Sequence, residues 1–500
     1  MMIRLVLVCA ISLGAACAQA ADFSIHAMLV NDRVLELAET TRLTRRADGE
    51  VVNAAISPNG KNIAYLVNVS GKTHLCLVKS TGGKATVVAS SSDRLAPRTE
   101  TGEAWEFPHY PSPYTVIAWS PDSKMLAIPA KRVALQEGSM SDRNLILVWQ
   151  ANGAFLTSLP LTGELQPWCP LVFSPDSRKI AFTNETYDEE NIRPFVAVVD
   201  VQEGSSLIVY SQTGGSTRVE GWTSAESLLC WTEQGRGGQL RIVKLNGEPD
   251  TVVAEEEVYS LRSSDGLLKI VPLTAGIVIE DIKSGKRTQI VRDGASMFNC
   301  WVPNSRRLLY EKTEIISDDS KQRSKGLRTL WLADPDAGKI NTMCVVLDHE
   351  TFSRPTWSKD GTKMAYLCDG CLYVAELAWR EPTAQEKIAA GLSLTEEEEK
   401  SVLLNAGKEI AVGLQMYWND YDGYLPNPDT AAEDIKTYMS RADNYLRPGT
   451  DRIIFRYIPP SVQRGDDIEA DTIIGELDPG CYSWKVVIYA DSHVKTVPRD

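Results

Sequence analysis

The chain has 500 residues, 43% of them hydrophobic and 24% charged, with a formal net charge of −14. Such values belong to a folded soluble protein and exclude a disordered one. The acidic balance also excludes a nucleic-acid binder, which needs a basic face to displace counterions.

The first element is a targeting signal. "MMIRLVLVCAISLGAACAQA" places Arg4 before an apolar run and ends on Ala18-Gln19-Ala20, a small-x-small cleavage site. Residues 1–20 are therefore expected to be a signal peptide, and the mature protein to be exported, periplasmic or extracellular. Lipid attachment at Cys17 is the alternative. The stretch is too short for a transmembrane anchor, and no later segment has the ~20 uninterrupted apolar residues of a spanning helix.

A phrase then recurs: "AISPNGKNIAYL" from 55, "AWSPDSKMLAIP" from 118, "VFSPDSRKIAFT" from 172 and "TWSKDGTKMAYL" from 356. Weaker copies are "GWTSAESLLCWT" from 221, "SLRSSDGLLKIV" from 260 and "CWVPNSRRLLYE" from 300. Aligned on their Asp/Asn position they fall at 59, 122, 176, 225, 265, 304 and 360, at intervals of 39 to 63 residues. Repeats of several strands at such a period indicate propeller blades. Ser, Pro, Asp/Asn and Gly/Ser in succession make a type I turn. The strand after each turn is apolar at consecutive positions, as expected where both faces are covered. A third strand follows every copy ("NLILVWQA", "PFVAVVDV"), and a fourth follows all but the last, where "AWREPTAQEK" turns helical. An unpaired edge there is a liability. The spare strand "RVLELAETTRLT", 33–44, is expected to fill it and close the ring.

These motifs resemble the TolB-like, WD40-like propeller repeats of exported bacterial proteins, over residues 30–378. Seven copies imply seven blades, or six if the weak copies at 221 and 260 are discounted, and the resemblance implies a mainly β fold. It says little about activity, because propellers host lyases, peptidase gates and pure adaptors alike.

Between the first two copies, residues 91–114 form an unusually long connection carrying Trp105, Phe107, His109, Tyr110 and Tyr114. Aromatic side chains on long loops anchor partners or sugars, and these five are the candidate partner-binding residues. The bland alternative is that the rings pack the loop onto the rim. Most cysteines are scattered through strand-like segments, as buried small hydrophobes are. "CDGC" at 368–371 differs: Asp-Gly is a two-residue hairpin turn, so Cys368 and Cys371 face each other, with or without a local disulfide.

After residue 378 the pattern changes. Residues 379–394 read as a linker and 395–500 as an α+β domain. Thr395 and Glu398 form a capping box, the remaining glutamates of the run a solvated face, and Leu403, Gly407, Ile410, Leu414 and Tyr417 one apolar stripe. Gly423 and Pro426 stop the helix. "GKEIAVGLQMYWNDYDGYLP" and the terminal "YADSHVK" resemble the globular head of prepilin-type proteins. The prepilin cleavage motif and long apolar helix are missing, so the resemblance implies a docking module, not a pilus subunit.

A search for reactive chemistry finds no G-x-S-x-G elbow, and the five histidines stand far apart without metal-ligand spacing. Asp420, Asp422 and Asp429 match three positions of a calcium loop, but Trp418 stands at its first position. No catalytic residue, metal or cofactor is therefore expected. The expected function is a secreted, non-catalytic scaffold that binds a protein or glycan in the bacterial cell envelope. The alternative is a metal-dependent polysaccharide lyase or hydrolase acting at the propeller mouth.

Overall fold

The structure is a computed structural model. It describes residues 26–499 apart from 31, 92–103, 109–115, 134–143, 162–169, 189–190, 235–236, 254–262, 272–275, 293–295, 317–324, 336–340, 350–354, 440–443, 445 and 463–467. The expected signal peptide and Cys17 lie outside these residues. The described chain divides into two compact units, the first chiefly Leu35–Arg380 and the second Glu381 onward together with Asp32–Val34. Among the described residues no helix is long and apolar enough to cross a membrane.

The first unit is built from antiparallel sheets, seven among the described residues. Sheet 1 runs from Glu50 to Ser90, sheet 2 from Ala104 to Pro160, sheet 3 from Val172 to Ser211 and sheet 4 from Ser216 to Val253. Sheets 5 and 6 span Leu268–Val291 and Ser296–His349, and sheet 7 begins at Thr356. Each is a meander, so strands adjacent in sequence are adjacent in space. Sheet 2 differs: both Ala104–Glu106 and Ala118–Trp119 pair with the long strand Met125–Val133. The insertion therefore contains a strand that joins the sheet. The strand after the repeated turn is covered on both faces, and Ile63, Ala64, Tyr65 and Leu66 are all buried.

The repeated phrase has a physical purpose. In five copies it starts on a buried serine: Ser57, Ser120, Ser174, Ser263 or Ser358. Each hydroxyl donates to the Asp or Asn two residues on, at 2.5–2.8 Å. Each also accepts the N–H five residues on, at 2.9–3.0 Å. The fourth residue of the turn is left-handed, with φ between 61° and 70° at Gly60, Ser123, Ser177, Gly266 and Gly361. Its N–H donates to the serine carbonyl at 2.8–2.9 Å, and the serine N–H donates to the carbonyl five residues on, so the expected turn ends in an αL residue within a four-residue hairpin loop. The copy from 260, weak by sequence, keeps the whole network through Ser263, Asp265 and Gly266. The copy from 300 loses it, because Val302 stands where the serine should be.

These turns hold one another. Asn59 N–H donates to Ser123 Oγ (3.0 Å) and Asp122 N–H to Ser177 Oγ (3.4 Å), linking sheets 1, 2 and 3. Lys179 reaches Glu226 of sheet 4 at 2.8 Å. Ser264 Oγ donates to Val302 O (3.3 Å) and Asn304 Nδ2 to Lys359 O (2.7 Å), linking sheets 5, 6 and 7. Lys359 N–H then donates to Pro58 O (2.7 Å), returning from sheet 7 to sheet 1. Apolar clusters bridge the same pairs. Leu66 and Leu75 pack with Leu126 and Trp149, Ile146 with Phe182, Ala181 with Leu228, Ile279 with Leu308, Leu330 with Met364, and Leu367 with Ile63. Between sheets 4 and 5, which in sequence are joined through residues 254–262, no such cluster occurs among the described residues.

Closure uses the N-terminal strand. Arg33–Arg42 is hydrogen-bonded alongside Cys371–Arg380, the last strand of sheet 7, and Ala27–Val30 adds outside it. Leu43 N–H donates to Leu372 O at 2.8 Å, and Thr44 Oγ1 accepts from Leu372 N–H at 2.9 Å. A succession of antiparallel meanders that returns to its first member and is completed by its own leading strand is a β-propeller.

In the second unit, helix α1 (Ala384–Ala390) falls where a linker was expected, and α2 spans Glu396–Asp420. Both begin with capping boxes, Thr383–Glu386 and the expected Thr395–Glu398. Leu403, Ile410 and Leu414 pack on Ile474, Leu477, Val486 and Ile488 of a four-stranded antiparallel sheet. At Gly407 a Cβ would stand 2.9 Å from Val494 Cγ1, so glycine lets helix and sheet approach. The stripe is completed by buried Trp418, while Tyr417 stacks on Tyr421 at 4.3 Å. One expectation about the glutamate run fails. Glu399 is buried, accepting from Arg447 Nε (2.8 Å) and Tyr482 OH (2.9 Å), and Glu396 accepts from Trp484 Nε1 (2.7 Å).

Candidate functional site

Two features of the propeller stand apart from its packing. The first is an apolar rim. In a meander the turn between strands one and two lies at the same end as the turn between strands three and four. The start of each outer strand therefore rims the face that carries the repeated turns. There Val87 of sheet 1, Phe155 and Leu156 of sheet 2, Leu207 and Ile208 of sheet 3, and Val252 of sheet 4 are exposed, four of them by half or more. In sheet 5 the equivalent positions are Arg287, Thr288 and Gln289. In sheet 6, Met343, Val345 and Val346 are buried with Met28 and Val30 of the N-terminal strand. The outer strands of sheets 1, 2, 3 and 5 each carry a register shift against their neighbour. Such bulges twist an edge away from strand addition. The rim thus offers side chains more than backbone.

The second feature is the seam where the ring closes. A cavity of about 360 Å³ is lined by His26, Leu37, Thr40, Val345, Val346, Tyr366, Cys368, Asp369 and Tyr373. His26 Nδ1 lies 2.9 Å from Cys344 O, tying the N-terminal strand to sheet 6. Tyr366 and Tyr373 stack at 5.5 Å, and burial pushes both phenols above their ordinary range. Arg42, at the end of the closing strand, lies over Tyr373 and donates from Nη2 to Cys371 Sγ at 3.0 Å. That bond holds the guanidinium above its ordinary pKa.

Cys368 and Cys371 are direct cross-strand partners around Asp369 (φ 49°) and Gly370 (φ 66°), the expected hairpin. Both are free thiols; the local disulfide that the spacing allows is not formed in this structure. All seven described cysteines are free. Burial pushes Cys76 up to about 11 and Cys230 up to about 12, as for inert packing thiols. Cys481 is exposed, not buried as expected of the scattered cysteines. Cys169 lies outside the described residues.

The aromatic insertion is only partly described. Phe107 is 1% exposed and meets Trp149 edge-on at 6.3 Å inside the cluster between sheets 1 and 2, so it is core and offers no partner contact. Trp105 lies in strand Ala104–Glu106, opposite Arg132. His109, Tyr110 and Tyr114 lie outside the described residues. His74 pairs with Ser90 Oγ at 2.6 Å, and His493 with Asp491 in the second unit. Among the described residues no group of three or more His, Cys, Asp or Glu could hold a metal ion. Of the calcium-loop candidates, Asp420 accepts from Tyr438 OH at 2.8 Å. The apolar rim escaped sequence reading, although "TVVAS", "FLTSLP" and "SLIVYS" carry its signal: adjacent apolar residues at the start of strands that must be outermost.

No family model matches the chain, and no curated protein matches it. Among solved structures it is similar to TolB from Acinetobacter baumannii, at 15% identity and TM-score 0.33, covering 65% of this chain and 67% of that one. It is also similar to an oligogalacturonate lyase from Vibrio parahaemolyticus, at 11% identity and TM-score 0.44, covering 70% and 96%. A prolyl endopeptidase is similar at 12% identity and TM-score 0.40, covering 66% and 50%. These likenesses assign no activity; the propeller rests on the sheets described above.

Proposed function

We propose that the chain is an exported, seven-bladed β-propeller scaffold of the bacterial cell envelope that binds a protein partner across its turn face. Its C-terminal unit serves as a pilin-head-like docking module. The observation that supports this reading is the apolar rim. Exposed apolar side chains gather on four consecutive sheets and give way to polar or covered positions on the next two. Contiguous exposed apolar surface of this kind marks interaction sites.

The test is affinity capture of the exported full-length chain from envelope extracts, comparing the native protein with Leu207→Glu/Val252→Glu. Both positions are exposed by half or more, so the variant keeps its melting temperature. It is expected to lose a specific partner that the native protein retains. Equal recovery by both proteins overturns the placement of binding on this rim. Turnover of polyuronate by the purified protein, abolished by chelator, would replace the scaffold reading with the enzymatic one.

A further inference from the structure

We propose that Cys368 and Cys371 form a reversible redox pair whose oxidation loosens the strand that closes the propeller. Residues flanking a two-residue hairpin loop exchange both backbone hydrogen bonds, which sets their Cα atoms about 5.5 Å apart. That separation falls within disulfide range, but side chains on such a pair diverge more than the ~3.8 Å between Cβ atoms that a relaxed disulfide requires. A bridge here is strained, and strained disulfides are the easily reduced, regulatory kind. Both sulfurs are unbridged, and they differ in setting. Cys368 lines the cavity at the seam, where a reagent can reach it. Cys371 is 1% exposed, and Arg42 donates to its sulfur.

The reaction requires a disulfide-bearing oxidant, such as a low-molecular-weight disulfide. Cys368, as thiolate, attacks one sulfur of the reagent, forming a mixed disulfide and expelling one thiolate. Cys371 gives up its proton and attacks Cys368 Sγ, with the Arg42 guanidinium in place beside the charge that develops. The second reagent thiolate leaves. The two cysteines are oxidised together, the reagent is reduced to two thiols, and the two cysteine protons end on them.

The consequence lies in the closing strand. To bond Cys368, Cys371 Sγ must turn away from Arg42, which is the last residue of strand Arg33–Arg42. The next residues, Leu43 and Thr44, make the bonds to Leu372 that extend the pairing. Oxidation therefore removes a side-chain anchor from the end of the closing strand.

The experiment uses the full chain equilibrated in glutathione buffers from fully reduced to fully oxidised. Free thiols are alkylated and assigned by peptide mass, and hydrogen exchange is followed over residues 33–44. The expected result is joint, reversible loss of the Cys368 and Cys371 thiols with exchange in 33–44 about tenfold faster, the scale of losing one hydrogen bond to a charged group. In Cys371→Ser the exchange rate no longer depends on the buffer. In Arg42→Gln it is already fast when reduced. Thiols that stay free in fully oxidised buffer, or a glutathione adduct that persists on Cys368, overturn the pair. A disulfide that forms while exchange stays at the reduced rate overturns its coupling to closure.

Discussion

The turn network of the propeller and the start of helix α2 solve the same problem in opposite ways. Each buries polar groups and satisfies them fully. In the propeller the work is divided among five neutral serine hubs, each with the same partners, and sheet 6 keeps its place with Val302 instead of a hub. In the second unit one buried carboxylate, Glu399, takes Arg447 and Tyr482 together. Repetition makes the first arrangement tolerant of loss, and singularity makes the second sensitive.

The largest effect is therefore expected from Glu399→Ala. It leaves Arg447 without its carboxylate, and because the arginine side chain is 29% exposed the cost falls below that of a fully buried pair, at about 2–3 kcal/mol. Hydrogen exchange over residues 396–420 in the full chain reports it as faster exchange. A cost no greater than that of losing a single serine hub would mean that the carboxylate is not the more sensitive arrangement.

Ser174→Ala comes next. It strands the Lys179 N–H and costs about 1–2 kcal/mol, read as a lower urea midpoint. Adding Ser120→Ala is expected to cost roughly the same again. A much steeper fall would show that the hubs act cooperatively and that the tolerance of sheet 6 has another origin.

Smaller still is Ser123→Ala, which keeps the left-handed backbone but removes the acceptor for Asn59 N–H, at about 0.5–1 kcal/mol. Ser123→Gly is expected to recover part of that loss by relaxing the αL position. Thermal melts of the two variants side by side distinguish these effects.

Acid sharpens the comparison last. At Asp176 the Ser174 hydroxyl, and at Asp122, Asp265 and Asp360 hydrogen bonds that outweigh burial, hold the carboxyls below their ordinary range. A depressed folded-state pKa adds stability that is complete above the unfolded value of about 3.9 and is lost as pH falls through the lower folded values. Native protein is thus expected to lose more stability between pH 5 and pH 2.5, in urea titrations, than a variant with all four aspartates replaced by asparagine. Asn59 already makes the same bonds without charge, so sheet 1 contributes nothing to this difference.

Much of the propeller was legible because its signals are local. The Ser-Pro-Asp turn, the consecutive apolar strand after it and the spare strand before the first copy each reflect chemistry within about ten residues, and all three lie where the pattern places them. Errors arose where meaning depends on distant neighbours. On the long loop Phe107 can either bind a partner or pack, and Trp149, 42 positions away in sequence, makes it core. Glu399 looked like part of a solvated run, and Arg447 makes it a buried partner.

By itself, the sequence determined the repeat, its turn chemistry and the strand order within each sheet, since backbone conformation and the pattern of burial follow from adjacent residues. Only the tertiary structure decided which outer strands leave apolar side chains in water and which are covered. Only there do Arg42 and Cys371, 329 positions apart, come within 3.0 Å. Exposure and long-range polar contact are properties of what packs alongside a residue, and in a ring that neighbour is supplied by another repeat.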